Sequence, residues 1–128
     1  MEYTILVVDD DLDIIEITRL YLKQEGYAVV TAQCGKEAKA LIAKHKPDLI
    51  VLDVMMCTPT EGFDLAYELL ENPETRDIPI IMMTSMTDSP DYVETFQYIT
   101  EKPWPVSVFL EKPVSRDVLI TNVKKFLK

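Results

Sequence analysis

Ile5-Leu6-Val7-Val8-Asp9-Asp10-Asp11 decides how this chain folds: four consecutive apolar residues run straight into three carboxylates. A run that is apolar at every position suits a strand covered on both faces better than one with a wet side. The same device recurs downstream. Leu49-Ile50-Val51-Leu52 runs into Asp53, Ile80-Ile81-Met82-Met83 runs into Thr84, and Val108-Phe109-Leu110 reaches Lys112 after one residue. If these runs are parallel strands of one sheet, a single edge collects the carboxylates of Asp9, Asp10 and Asp53, the hydroxyl of Thr84 and the ammonium of Lys112. Such a set suits a divalent cation and a phosphoryl group.

Working outward, apolar runs rich in Val and Ile occupy 5 to 8, 27 to 32, 49 to 52, 80 to 83 and 106 to 110, and helical patterns lie between them. Ile14, Ile17 and Tyr21 with Ile15 and Leu22 make one stripe, which Gly26 can end in a left-handed turn. Ala38, Leu41 and Ile42 make a second, stopped before Pro47 because the residue preceding a proline avoids the helical region. Leu65, Leu69 and Leu70 with Phe63 and Ala66 make a third, ending near Asn72-Pro73. Ser89-Pro90 reads as an N-cap followed by proline at the first helical position, with Val93 and Phe96 behind it. Ser115 caps a fifth helix whose apolar face is Leu119, Val123 and Phe126, and Asp11 or Asp13 caps the first. Five strand-then-helix units imply an α/β protein: a five-stranded parallel sheet with right-handed crossovers and five helices on its two faces. With no repeat, low-complexity tract or linker, residues 1–128 are expected to form a single domain.

Composition bounds the function. With 48% hydrophobic and 27% charged residues, the chain has the make-up of a globular domain, large enough to bury a core without disulfides or a structural metal. No stretch reaches eighteen apolar residues and the start lacks a basic leader, so neither a signal peptide nor a membrane span is expected, and the cytoplasm is the expected compartment. Cys34 and Cys57 lack CxxC spacing and read as free thiols. The formal net charge of -9 argues against direct contact with nucleic acid, which needs clustered Lys and Arg, and points to protein partners. The three glycines form no phosphate-cradling GxGxxG or Walker loop. His45 is read as a surface residue remote from the acidic edge.

Ile5 to Asp11, Leu52-Asp53-Val54-Met55-Met56, Met82-Met83-Thr84-Ser85 and Phe109-Leu110-Glu111-Lys112-Pro113, in that order and each at a strand end, resemble the receiver domain of response regulators. This is the phosphoacceptor module of two-component signalling, and the resemblance spans Thr4 to Leu127. It implies a flavodoxin-like doubly wound fold with strand order 2-1-3-4-5, whose reversal between the first and third strands is where open sheets bind ligands. It also implies that Asp53 is the phosphoacceptor, taking a phosphoryl group from a sensor histidine kinase or phosphotransfer protein. Asp10 and Asp53 are implied Mg²⁺ ligands, with Asp9 holding the ion directly or through water and Met55 donating its backbone carbonyl. Thr84 would hydrogen-bond the phosphoryl oxygens and Lys112 would pair with them. The output face would be the fourth helix, fifth strand and fifth helix, where Phe109 takes the place of the family's switch aromatic without a hydroxyl. That face also makes a homodimer an expectation. Such a module is not an enzyme in the usual sense, since it turns over only its own phosphoryl group.

The residue types support the same chemistry. Two carboxylates about 4 Å apart repel by roughly 4 kcal/mol at an effective dielectric near 20, so three converging acids call for a counter-charge. Magnesium takes oxygen ligands and keeps several waters, so one or two carboxylates suffice to hold it. Phosphoryl transfer asks a protein mainly for positioning and charge neutralisation. Two other classes are compatible with parts of the pattern. A scaffold that works without phosphorylation would have no use for the acid, threonine and lysine set. An aspartate-nucleophile phosphohydrolase would need a second aspartate where Met55 stands, and a cap insertion.

Departures from the family pattern fall at Cys57, where a proline is usual, in a loop to Gly62 one residue longer than usual, at Ser85, and in the stretch Ile99 to Val106. There Pro103-Trp104-Pro105 stands in place of the customary Gly-Ala as a stiff segment, read as a partner-docking element or as a packed connecting loop; Trp104→Ala that leaves both stability and partner pull-down unchanged would remove the docking reading. Met55 and Met86, two residues after Asp53 and Thr84, are apolar where the family tunes water access to the acyl phosphate. Slow self-dephosphorylation is therefore expected. Following loss of label from the phosphorylated chain, the wild type should outlast Met55→Asn; equal lifetimes would remove the shielding role.

Overall fold

The computed structural model describes residues 3–53, 61–84, 108–111 and 114–127. In chain order these form β1 (Thr4–Val8), α1 (Leu12–Gln24), β2 (Ala28–Ala32), α2 (Gly35–Lys44), β3 (Leu49–Asp53), α3 (Glu61–Glu71), β4 (Ile80–Thr84), β5 (Val108–Glu111) and α4 (Arg116–Phe126). The helix predicted behind Ser89-Pro90 lies outside the described residues, so α4 is the fifth in the predicted order. The strands form one parallel sheet in the order β2-β1-β3-β4-β5. Its central strands are built on the four-residue apolar runs because both of their faces are covered, and polar residues stand only at strand ends.

Alternation along each strand divides the apolar runs between two cores. Leu6 and Val8 of β1, Ile50 and Leu52 of β3, and Ile80 and Met82 of β4 pack with Ala38 and Ile42 of α2 and with Leu65, Ala66 and Leu69 of α3. The intervening residues, Ile5, Val7, Leu49, Val51, Ile81 and Met83, face the other way. They meet Ile15 and Leu22 of α1 and Leu119, Ile120 and Val123 of α4. Helices on both faces of a parallel sheet are what the strand-then-helix alternation predicts.

Helix ends follow from local chemistry. Asp11 caps α1, its Oδ1 accepting from the Asp13 N–H at 2.9 Å, and Ser115 caps α4, its Oγ accepting from the Val118 N–H at 3.2 Å. Cys34 gives α2 no side-chain cap; instead Glu37 in the first turn reaches back to accept from the Gln33 N–H at 2.9 Å. At the end of α1 the Gly26 N–H bonds to the Lys23 carbonyl and the Tyr27 N–H to that of Leu22, with Gly26 at φ +91°. Those two bonds and the left-handed residue make a Schellman turn, and Gly26 adopts that φ without a side-chain penalty. After α3 the buried Thr75 hydroxyl donates to the Leu69 carbonyl at 2.6 Å, satisfying an end-of-helix acceptor.

Four sequence-based expectations shift. On α1 the packed face centres on Ile15, Thr18 and Leu22, while Ile17 is 46% exposed. On α4, Ile120 joins Leu119 and Val123 in the core and Phe126 is 36% exposed; on α3, Leu70 is 39% exposed. The run predicted at 27 to 32 is an edge strand over 28 to 32, which meets α1 on one face and α2 on the other but is covered only in part, so that Val30 is exposed. His45, at the end of α2, is on the surface as expected.

One ion cluster ties the end of α1 to α4. Glu25 accepts from the Arg116 guanidinium and from Lys124 Nζ at 2.9 Å. Lys124 foremost, then Arg116, hold the Glu25 carboxyl below the usual glutamate range, and Glu25 raises Lys124. A depressed carboxyl contributes stability that is present above its unfolded-state pKa of about 4.3 and is lost as pH falls through the lower folded value. Thermal unfolding across pH should therefore show Glu25→Gln less stable than wild type above about pH 5, with the gap closing towards pH 3. Leu52→Ala, at a fully buried position, is expected to cost about 2–5 kcal/mol in urea unfolding.

Candidate functional site

β1 and β3 are hydrogen-bonded neighbours, with Val8 opposite Leu52. One step further along that register Asp9 stands level with Asp53, and the Asp9 N–H extends the sheet by bonding to the Ala32 carbonyl at 3.1 Å. Asp9 and Asp53 share the alternation of Val7 and Val51, so both belong to the sheet face covered by α1 and α4. Both are buried, at 0% and 4% exposure, whereas Asp10, one residue on, is exposed. The consecutive strands from this point run to opposite sides, β1 to β2 and β3 to β4, which makes it the switch point where open sheets form a crevice.

A ligand oxygen from each of Asp9, Asp10 and Asp53 lies within 4.8 Å of the others. The three acids predicted from strand ends are thus brought together. At such separations each like-charge pair costs on the order of 4 kcal/mol at an effective dielectric near 20. Part of the Asp9 charge is met locally, because its Oδ1 accepts from the Asp11 N–H at 2.9 Å. That bond also fixes the carboxylate's direction. Asp11 therefore serves twice, its amide orienting Asp9 and its side chain capping α1. The run of three aspartates carried no signal for the amide's role, which depends on the turn rather than on residue type.

Opposite ligands of an octahedral magnesium ion stand about 4.2 Å apart, and the ion needs only hard oxygen donors with open positions for water. Three carboxylates within 4.8 Å of one another, two buried and one exposed, offer hard oxygens of the kind such an ion takes. Asp10 is the member through which an ion and its waters would enter.

The other predicted site residues are placed by the backbone alone or lie outside the described residues. Asp53 pairs with Met83, so Thr84 ends β4 one step beyond the acidic pair, and Thr84 is in register with Glu111 of β5. Lys112 follows Glu111 and falls outside the described residues, as do Met55, Cys57, Met86 and Trp104. Phe109 stands in β5 opposite Met82. Cys34, the described cysteine, is a free thiol at the start of α2. No helix among the described residues is long and apolar enough to cross a membrane.

Comparison with known proteins agrees with this geometry. The family model for the response regulator receiver domain matches residues 5–124. The phosphate regulon transcriptional regulatory protein PhoB of Pseudomonas aeruginosa is 34% identical over 125 residues, 98% of this chain and 52% of PhoB. The response regulator PleD of Caulobacter vibrioides is 33% identical over 128 residues, the whole of this chain and 27% of PleD. The chain thus spans about half the length of the first relative and about a quarter of the second. Among solved structures, the chemotaxis response regulator CheY4 of Vibrio cholerae superposes with a TM-score of 0.81 at 28% identity, covering 99% of this chain and all of that one. A flavodoxin-like parallel sheet, an acidic cluster at its switch point and a family match over nearly the full length lead to one conclusion: the chain belongs to the response regulator receiver domain family.

Proposed function

We propose that this chain is a phosphoacceptor that relays a signal from a histidine kinase or phosphotransfer protein to a protein partner. The observation that supports it is the convergence of Asp9, Asp10 and Asp53 at the switch point of a receiver-family sheet. Packing alone gives no reason to gather three acids there.

In this reading a carboxylate oxygen of Asp53 bonds to the phosphorus of a phosphohistidine while the phosphorus–nitrogen bond breaks. The electron pair stays on the imidazole, which takes a proton from solvent, and Asp53 becomes an acyl phosphate. No general base is needed, because a carboxylate is already deprotonated at neutral pH. Asp10 and Asp53 would hold Mg²⁺, with Asp9 directly or through water and the Met55 carbonyl beside them. Bound there, the ion would supply positive charge against the phosphoryl oxygens. Lys112 would pair with an oxygen on the other side, and Thr84, at the end of β4, would donate its hydroxyl to a third. The Asp11 amide bond to Asp9 keeps one carboxylate fixed while the others adjust.

The new phosphoryl group carries about two negative charges, enough to bias a loop with two arrangements. Thr84 and Phe109 would carry that bias to the face made by the fifth strand and its flanking helices, where a downstream protein or a second copy would bind. With no hydroxyl, Phe109 would act by packing alone. The acidic balance of -9 favours protein over nucleic acid as the direct contact, and the reaction would take place in the cytoplasm.

Incubation with acetyl phosphate should add one phosphoryl mass at Asp53 only when Mg²⁺ is present, and Asp53→Asn should abolish it. Labelling at another residue, or labelling indifferent to the cation, would overturn the reading. Mg²⁺ at a hundredfold excess over its Kd should stabilise the wild type by about 2.7 kcal/mol. In thermal denaturation that gain should be largely lost in Asp10→Asn, which removes a ligand and relieves repulsion.

A further inference from the structure

A cavity of about 210 Å³ lies between α1 and α4 on the sheet face shared by Asp9 and Asp53. Ile14, Ile17 and Tyr21 of α1, Met83 of β4, and Val114 and Leu119 line it. We propose that it binds a small aromatic molecule carrying one hydrogen-bonding group, a phenol in the simplest case.

Size comes first. An apolar cavity of about 150 Å³ accepts a benzene molecule, whereas pockets for larger ligands begin near 300 Å³. A space of about 210 Å³ therefore suits one ring with one substituent. The lining suits it too: the Met83 thioether makes favourable contacts with aromatic rings, and Tyr21 offers a ring of its own.

Thr18 specifies the polar group. It lines the cavity, is 4% exposed, and among the described residues its hydroxyl makes no hydrogen bond. A helical threonine ordinarily satisfies its hydroxyl on the carbonyl one turn back, so an unpaired one in a buried position is a standing cost. A water is a poor remedy, because it needs two to four polar partners and, among the described residues, the lining side chains offer only the Thr18 and Tyr21 hydroxyls. A phenol hydroxyl can donate to or accept from Thr18 while its ring replaces solvent on the apolar walls.

The cavity floor adjoins the proposed phosphoacceptor parts in sequence, since Met83 precedes Thr84 and Val114 follows Lys112-Pro113. Binding does not rest on that reading and is measured without phosphorylation.

Titrating the full chain with phenol and with toluene, followed by amide resonances, tests the proposal. Both should give saturable shifts centred on Thr18, Met83, Val114 and Leu119. Thr18→Val keeps the side-chain shape without the hydroxyl, and should weaken phenol about three- to tenfold while leaving toluene within about twofold. Val114→Phe should fill the space and abolish both. The proposal is overturned if neither compound saturates, if the shifts centre elsewhere, or if Thr18→Val weakens both equally. Concentration-dependent shifts at these residues without ligand would assign the face to a second copy instead and overturn it as well. Should Thr18→Val not fold, Val114→Phe and the location of the wild-type shifts decide.

Discussion

Burial of β1 and β3 on both faces is the constraint from which the rest follows. Ile5 to Val8 and Leu49 to Leu52 are all fully buried, so neither face of the central sheet can carry a charge. Charged groups attached to these strands have to appear where the strands end. Since both strands are parallel and in register, Asp9 and Asp53 end at the same level, and the β1–β3 junction concentrates what other folds would scatter. The site is in this sense a by-product of where a doubly covered parallel sheet permits polarity.

Much of that was legible in the residues. A four-residue run with no polar position leaves little choice but a buried strand, and an acid at the end of two such runs leaves little choice about the edge. Legibility failed where apolar residues surround an element. In α1, Ile14, Ile15, Ile17, Leu20, Tyr21 and Leu22 spread round most of the helix, so periodicity alone does not say which stripe faces the sheet. The sheet and α4 choose Ile15, Thr18 and Leu22, leaving Ile17 and Leu20 exposed and a threonine inside. Similarly, Ala28 to Ala32 has the composition of a central strand, and only the strand order reveals that it has one neighbour. Edge position is a property of the whole sheet, not of the five residues.

At the site the limit was different in kind. The run Asp9-Asp10-Asp11 shows three equivalent acids, yet the structure gives them three environments. Asp9 continues the strand alternation and is buried, Asp10 falls in the turn and is exposed, and Asp11 is spent on capping α1. Residue type could nominate a cluster, but the point where the strand gives way to a turn assigned the parts. The Asp11 amide that orients Asp9 is invisible in any reading of side chains.

These placements carry an energetic argument about purpose. The Glu25 cluster shows how this chain treats charge when structure alone is at stake: a carboxylate is set between two cations where α1 meets α4. At the switch point it sets three carboxylates together, two of them buried. A neutral residue at position 9 could continue the strand's backbone hydrogen bond as well, and α1 is capped by Asp11 regardless of its neighbours. The carboxylate at position 9 also accepts the Asp11 N–H, so the acid that orders the turn is one of the three gathered at the switch point. The register that brings these acids together is held by the buried runs of β1 and β3 that precede them, so the geometry of the cluster is set by the sheet and its parts by the turn that follows.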